Sequence, residues 1–345
     1  MNGRVDRLRA LLEEPLLVTA GVNVRYLVGF QSSNAALLVD ENRVLLFTDF
    51  RYAEAARKVE GVEFVLTERS LLKSIAEQLG GRIGFEAAAL PYAGWQTLTQ
   101  AGLELVPRSG LVEKLRAVKD AQELAAIREA ARITDAVFAA FAEETFVGRT
   151  ERDLAWRMEQ LFHDHGAHGL AFESIVGSGP TGASPHSRPT DRVVEADTLV
   201  VVDAGCTIDG YNSDCTRTFA TGDLPGEFSN AYEVCARAQL AGLEAMRAGV
   251  SGSDADAAAR RVIDDAGLGE KFGHGLGHGV GLLVHEAPTA RPESTDVLEP
   301  GNVISCEPGI YLEGKAGVRI EDLVAITDGE PEILNHFTKE LVTVS

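Results

Sequence analysis

Short apolar runs and stretches of helical period alternate along the first third of the chain. Residues 16–19, 35–40, 44–48, 62–67, 82–86 and 103–106 are rich in aliphatic and β-branched side chains and read as strands. Residues 4–14, 51–59, 71–79 and 92–101 carry apolar positions at helical spacing. Glu41-Asn42 reads as a turn between two strands. This alternation predicts one small α/β domain. Asp49 reads as the cap of the helix after it, with Arg51 solvated. Residues 107–110, from Pro107 to Gly110, mark a boundary, which divides the chain into 1–110 and 111–345.

Beyond it, helical patterns cover 111–118 and 120–144, with Asp120 as a cap. A further helix opens at Thr150-Glu151-Arg152-Asp153, close to a capping box, and runs to His165-Gly166. Helices are also expected over 230–248 and 254–266. Between these lie apolar strand patterns at 198–202, 211–221, 301–306 and 317–324. Gly177-Ser178-Gly179-Pro180-Thr181-Gly182 matches G-x-G-x-x-G, but that motif must open a helix. Pro180, Pro185 and Pro189 punctuate residues 180–189, so a loop carrying His186 is expected instead. No internal repeat or low-complexity tract is present.

Composition narrows the function. With 32 Lys+Arg against 52 Asp+Glu, the net charge is −20. A chain this acidic is a poor partner for nucleic acid or an anionic membrane. The four cysteines form no Cys-x-x-Cys pair and are too few for a disulfide scaffold. The first residues lack the apolar core of a signal peptide, and no uncharged run approaches the roughly 18 residues of a membrane span. The expected location is the cytoplasm.

Chemistry concentrates near residue 280. Three of the eight histidines, His274, His278 and His285, fall within twelve residues. His274 and His278 have the spacing of a zinc-binding helix. However, Gly273, Gly275, Gly277, Gly279 and Gly281 interleave them, and each glycine costs a helix about 1 kcal/mol relative to Ala. An extended, closely approached backbone is expected. On this segment alone, a Gly-rich turn with incidental histidines and a functional site both stand.

Acidic residues interrupt apolar strands elsewhere. The run Leu199-Val200-Val201-Val202 ends at Asp203. A hairpin centred between residues 208 and 209 would set Asp203 opposite Asp214, on one face. Two like charges placed there repel unless a proton or cation lies between them. Asp209 reads as a solvated turn residue. Glu307 stands at a strand end, and Glu321 interrupts Gly317-Val318-Arg319-Ile320-Glu321-Asp322-Leu323-Val324.

Asp203, Asp214, His278, Glu307 and Glu321 form an ordered set, the first two eleven apart and the last three separated by 29 and 14. The surrounding motifs are Val202-Asp203-Ala204-Gly205, Ser213-Asp214-Cys215-Thr216-Arg217-Thr218, Gly277-His278-Gly279-Val280-Gly281, His285-Glu286, Cys306-Glu307-Pro308-Gly309-Ile310-Tyr311 and Arg319-Ile320-Glu321-Asp322. Together they resemble the pita-bread metallopeptidases, methionine aminopeptidase, aminopeptidase P and prolidase, a family that also includes creatinase. The N-terminal part resembles the creatinase/prolidase N-terminal domain. The resemblance implies an α+β fold, with a C-terminal pita-bread domain preceded by a smaller α/β domain.

It also implies a site. The five residues would bind two divalent metals, Mn²⁺ first, with Co²⁺, Zn²⁺ or Fe²⁺ as alternatives. Four carboxylates and two such ions balance in charge, and oxygen ligands with one imidazole suit these metals. A hydroxide held between the metals would attack the scissile carbonyl. Glu307 would shuttle protons, His285 would hydrogen-bond the developing oxyanion, and His274 would assist. His186, Tyr311, Arg319 and Arg51 match family positions near the substrate, Arg51 through the partner subunit of a homodimer. The glycines would let backbone and peptide approach the metals.

An N-terminal domain and the Arg319–Asp322 motif disfavour methionine aminopeptidase. Prolidases usually carry an arginine four residues after the position of His285, to grip a dipeptide carboxylate. Here that position is Thr289, with Arg291 and Arg188 nearby. The motif Thr48-Asp49-Phe50-Arg51-Tyr52 resembles one common in small prokaryotic aminopeptidases P. The first expectation is therefore an Xaa-Pro aminopeptidase acting on peptides with proline in second position. The alternative is an Xaa-Pro dipeptidase. A metal-free creatinase-like hydrolase or a non-catalytic binding protein would lack part of the ligand set.

Overall fold

The apolar runs of the N-terminal part pair into one mixed sheet. Its six strands lie in the order Glu63–Thr67, Val44–Asp49, Ala35–Val39, Leu16–Val18, Arg82–Glu86 and Glu104–Arg108. Leu17, Leu38, Phe47, Ile83 and Phe85 from these strands pack with Ile75 and Leu98 from the helices Leu71–Ala76 and Tyr92–Gln100. Each such side chain contributes roughly 1.5–3 kcal/mol by leaving water. The strands and helices expected here are present, but two helices are shorter. The first covers only Arg4–Arg9, after which the Leu11 and Leu12 amides turn to the Leu8 and Arg9 carbonyls three residues back. The helix expected over 51–59 reduces to Ala53–Ala56, because the Asp49 carboxylate ties down both the Arg51 amide and its guanidinium in a turn. Residues 23–28, left without an element from the sequence, lie in the helix Gly21–Val28, which stops at the left-handed Gly29.

The computed structural model describes residues 3–345. It divides into two compact units, Met1–Arg116 and Ala117–Ser345, with the short helix Leu111–Ala117 running to the division. The second unit is built from two layers of helix over sheet. Helices Ala121–Phe141 and Glu151–Asp164 bury Val137, Phe138, Phe141, Leu154, Met158 and Phe162 against Val176, Val200, Val202 and Phe219. Those residues belong to the three-stranded sheet Thr216–Ala220, Leu199–Asp203, Ile175–Ser178. Helices Gly226–Ala245 and Gly252–Asp265 bury Val234, Ala238, Ala259 and Ile263 with Ile304, Val318 and Val324. Ile304 and Val324 come from the five-stranded sheet Glu286–Ala290, Gly277–Gly279, Val303–Cys306, Asp322–Ala325, Glu332–Ile333. Val318 lies in the ribbon Gly309–Leu312 with Ala316–Arg319.

Local rules explain where these helices begin. Asp120 accepts from the amides of Gln122 and Glu123, while the Glu123 carboxylate accepts from the Asp120 amide, a complete capping box. The Thr150 hydroxyl accepts from the Asp153 amide. The G-x-G-x-x-G segment is the end of strand Ile175–Ser178 and then a 3₁₀ turn, Gly179–Ala183, so it opens no α-helix. No described helix is long and apolar enough to cross a membrane.

Phe219 is buried among the rings of Phe141, Phe146 and Phe337, with centroids 5.4–6.4 Å away. Phe219→Ala should destabilise the second unit by about 3–5 kcal/mol. Chemical denaturation monitored by tryptophan fluorescence measures this; an unchanged midpoint would mean that these rings do not hold the layer.

Candidate metal centre

Asp203 closes the strand Leu199–Asp203, and its cross-strand partner is Thr216. The expected pairing with Asp214 is therefore wrong by two residues. The reversal is the two-residue turn Asp209-Gly210, in which both residues have positive φ, and Ile208 pairs with Tyr211 beside it. That geometry is a type I′ hairpin, favoured by Asp-Gly. It moves the centre of pairing to between residues 209 and 210. Asp214 is displaced by two positions from Thr216, which preserves the face. Both aspartates still line the same cavity.

The cavity, about 420 Å³, gathers Asp203, Asp214, His278, Glu307 and Glu321 with His186, His274, His285 and Arg319. Ligand atoms of Asp214, His278 and Glu321 lie within 4.8 Å of one another. The His278 Nε2 is 3.1 Å from Glu307 Oε1 and 3.8 Å from Asp214 Oδ2. Ser305 holds this pair from behind, accepting from the His278 amide and donating to Glu307 Oε1, both at 3.0 Å. Asp203 Oδ2 accepts from Arg319 Nη2 at 2.8 Å. Thr216 joins two of the groups: its hydroxyl accepts from Arg319 Nε and donates to Glu321 Oε2.

Thr216 and Ser305 were not singled out from the sequence. Each stands two residues from an acid, Asp214 or Glu307, and so shares its face in an extended chain. That spacing was the available signal.

The remaining histidines form the cavity wall. His274 shares a hydrogen bond of 2.9 Å with the Tyr311 hydroxyl, which accepts another from Arg319 Nη1. The rings of His278 and His285 meet edge to face at 4.2 Å. His186 and His285 are exposed at the cavity. Arg51 lies in the first unit, where Asp49 and Asn34 share one carboxylate network with it. That pairing with Arg51 holds the Asp49 carboxyl well below the usual carboxylate range.

The glycines around His278 show the close backbone approach expected of them. A Cβ on Gly277 would run into the Ser305 carbonyl, and one on Gly279 into the Ala287 carbonyl. They admit the chain's own neighbouring strands to His278.

Electrostatics tests whether cations fit. Burial, then the charges of Glu321, Asp203 and Glu307, pushes the Asp214 carboxyl well above its ordinary range. Burial and the charges of Glu307 and Asp203 do the same to Glu321, and burial raises Asp203 against the pull of Arg319. Glu307 goes the other way, to about 2, because hydrogen bonding and charge from His278 outweigh its burial. Burial lowers both His274 and His285, which favours neutral imidazoles. Asp203 Oδ1, Asp214 Oδ1 and Glu321 Oε1 are buried without hydrogen-bond partners. Such orphaned oxygens are costly, and divalent cations would satisfy all of them. The donor set of hard oxygens with one imidazole fits Mn²⁺, Co²⁺, Fe²⁺ or Zn²⁺.

Comparison with known proteins gives the same direction. Residues 125–328 match the model of metallopeptidase family M24, and residues 4–118 that of the creatinase/prolidase N-terminal domain. The uncharacterized peptidase YqhT of Bacillus subtilis is 35% identical over 98% of this chain and 99% of its own. An Xaa-Pro dipeptidase structure from Bacillus anthracis superimposes with a TM-score of 0.95 at 35% identity, covering 99% of both chains. An X-Pro aminopeptidase structure from Thermotoga maritima gives 0.89 at 31%, covering 99% of this chain and 100% of that one.

The raised carboxyls give a pH dependence with a definite sign. Without metal, the folded protein keeps protons on Asp214 and Glu321 that the unfolded chain has released. The associated stability is fully present below the ordinary carboxylate range and is lost as pH rises through the raised values. A bound cation replaces those protons and reverses the slope. In chelator, Tm should therefore fall as pH rises above the ordinary carboxylate range; with excess Mn²⁺ that fall should vanish. Parallel curves in the two conditions would contradict the cation site.

Proposed function

The chain belongs to metallopeptidase family M24 and carries a creatinase/prolidase N-terminal domain; from that membership we propose that it is a proline-specific exopeptidase, an Xaa-Pro dipeptidase ahead of an aminopeptidase P. The order is the reverse of the first expectation from the sequence. The dipeptidase from Bacillus anthracis matches with higher identity and TM-score than the aminopeptidase from Thermotoga maritima. The observation that carries the reading is Arg291. It lines the cavity, is exposed, and its guanidinium has neither ion pair nor hydrogen bond among the described residues. An uncommitted cation at the mouth of an acidic site suits the free carboxylate of a dipeptide. Thr289, at the position where prolidases carry arginine, is occupied otherwise: its hydroxyl bonds to Asp296 and Ser294. Arg188 lies beside Glu173, which lessens its claim.

In this reading Asp203, Asp214, His278, Glu307 and Glu321 hold two divalent cations, Mn²⁺ in the first place. Bound there, the cations supply Lewis acidity and a nucleophile from water at neutral pH. The chain's own groups do the rest. Glu307 accepts and returns the proton of the attacking water. His285, which partial desolvation and the neighbouring His278 bias toward the neutral form, donates its N–H to the carbonyl oxygen as negative charge develops there. His274, Tyr311 and Arg319 form a hydrogen-bonded chain that fixes Asp203 on one side of the site. His186 borders the substrate, and Arg51 would serve the site of a partner subunit.

An Xaa-Pro dipeptide should be cleaved with higher kcat/KM than the corresponding Xaa-Pro-Yaa tripeptide, measured with Mn²⁺ added. Arg291→Ala should raise KM for the dipeptide about tenfold or more, with a smaller effect on the tripeptide. A preference for the tripeptide, untouched by Arg291→Ala, would restore the aminopeptidase reading. Asp214→Asn should lower bound metal and abolish activity; full metal content and activity would remove Asp214 from the ligand set.

A further inference from the structure

His285 is held in place by nothing of its own. Among the described residues its ring has no hydrogen-bond partner, and the ring it meets is the edge of His278. Its position is therefore set by the backbone of the loop between Gly281 and Glu286. What anchors that loop is buried beside it. The Glu286 and Lys119 side chains are 7% and 1% exposed, with Lys119 Nζ 2.8 Å from Glu286 Oε1.

Both ends of this pair are tied to rigid elements. Lys119 sits two residues before the helix Ala121–Phe141. Its amide donates to the Gly301 carbonyl at 2.8 Å, and its ammonium also reaches the Ala117 carbonyl. Glu286 comes directly after His285 and opens the strand Glu286–Ala290. Its other oxygen, Oε2, accepts from the Leu283 amide inside the loop at 3.4 Å. The Gly281 amide closes the loop by donating to the Leu283 carbonyl.

Gly281 connects the pair to the acidic cluster. A Cβ there would strike Glu286 Oε1 and come within 3.1 Å of Lys119 Cε, so the ion pair requires glycine at this position. The Gly281 carbonyl accepts from both the backbone and side-chain nitrogens of Asn212, each at 2.9 Å. Asn212 lies two residues before Asp214.

Buried ion pairs are seldom the most stabilising choice for a core, because both charges lose their water. Their use here calls for a geometric reason. We propose that the buried Lys119–Glu286 ion pair is a positioning device for His285, fixing the Gly281–Glu286 loop so that the imidazole is aimed at the substrate carbonyl. The inference rests on the role given to His285 above. Lys119 and Glu286 touch neither substrate nor cation; they act through His285.

A double-mutant cycle on the metal-loaded enzyme tests it, with an Xaa-Pro dipeptide as substrate. Lys119→Met should lower kcat about tenfold or more, with KM within about twofold and metal content unchanged. Lys119→Arg should recover most of the loss. In the His285→Ala background, Lys119→Met should have almost no further effect, because the group it positions is gone. If Lys119→Met folds poorly, Lys119→Met/Glu286→Leu leaves no unpaired charge and carries the same comparison. Should Lys119→Met lower kcat by the same factor with or without His285, or reduce bound metal, the pair is structural and the inference is overturned. A His285→Ala enzyme with unchanged kcat would instead overturn the role of His285, and the inference with it.

Discussion

Four carboxylates converge on one buried place, and the rest of the second unit has to live with that. Water does not reach their orphaned oxygens, and burial together with mutual repulsion drives Asp214 and Glu321 toward protonation. A cluster of this kind is tolerable only with compensating positive charge. Arg319 supplies some, at Asp203, and His278 supplies some, at Glu307. Three oxygens remain unmatched, and they define where cations belong. The fold's stability and its chemistry thus meet in one electrostatic requirement.

Holding such charges in place requires support from behind. Asp322, next to Glu321, is fully buried and accepts from Arg217 Nη2, Gln239 Nε2 and Lys339 Nζ at 2.7–2.8 Å. Arg217 also donates to the carbonyls of Glu321, Phe337 and Thr338. The segment near residue 338 is thereby bound to the backbone of a proposed ligand. Ser305 and Thr216 do comparable work for His278, Glu307 and Glu321. Every proposed ligand then belongs to a strand backed by helices, or lies within two residues of one, so its freedom to relax away from its neighbours is small.

Much of this was legible in the sequence, for reasons that differ by level. Strand and helix positions came from periodicity, since burial on one face imposes it. The acids stood out because apolar strands ending in Asp203 or containing Glu321 contradict their surroundings. Register was less legible: the same Asp-Gly that was read only as a turn fixes the pairing through two positive φ values, and so moves Asp203 from Asp214 to Thr216. The glycines were recognised as sites of close approach, but the groups that approach are the Ser305 and Ala287 backbone, which lies far along the chain or depends on strand pairing. Arg291 and the Lys119–Glu286 pair owe their meaning to what does or does not surround them in three dimensions. No local pattern carries that information.

On the proposed function, this carboxylate cluster holds two cations. Anomalous diffraction from crystals grown with Mn²⁺, recorded on both sides of the manganese absorption edge, measures it directly. Two peaks about 3.5–4 Å apart are expected, among Asp203, Asp214, His278, Glu307 and Glu321, with the imidazole on only one of them. A map with no peak in the cluster, or with manganese bound elsewhere while the four carboxylates stay as they are, would contradict it.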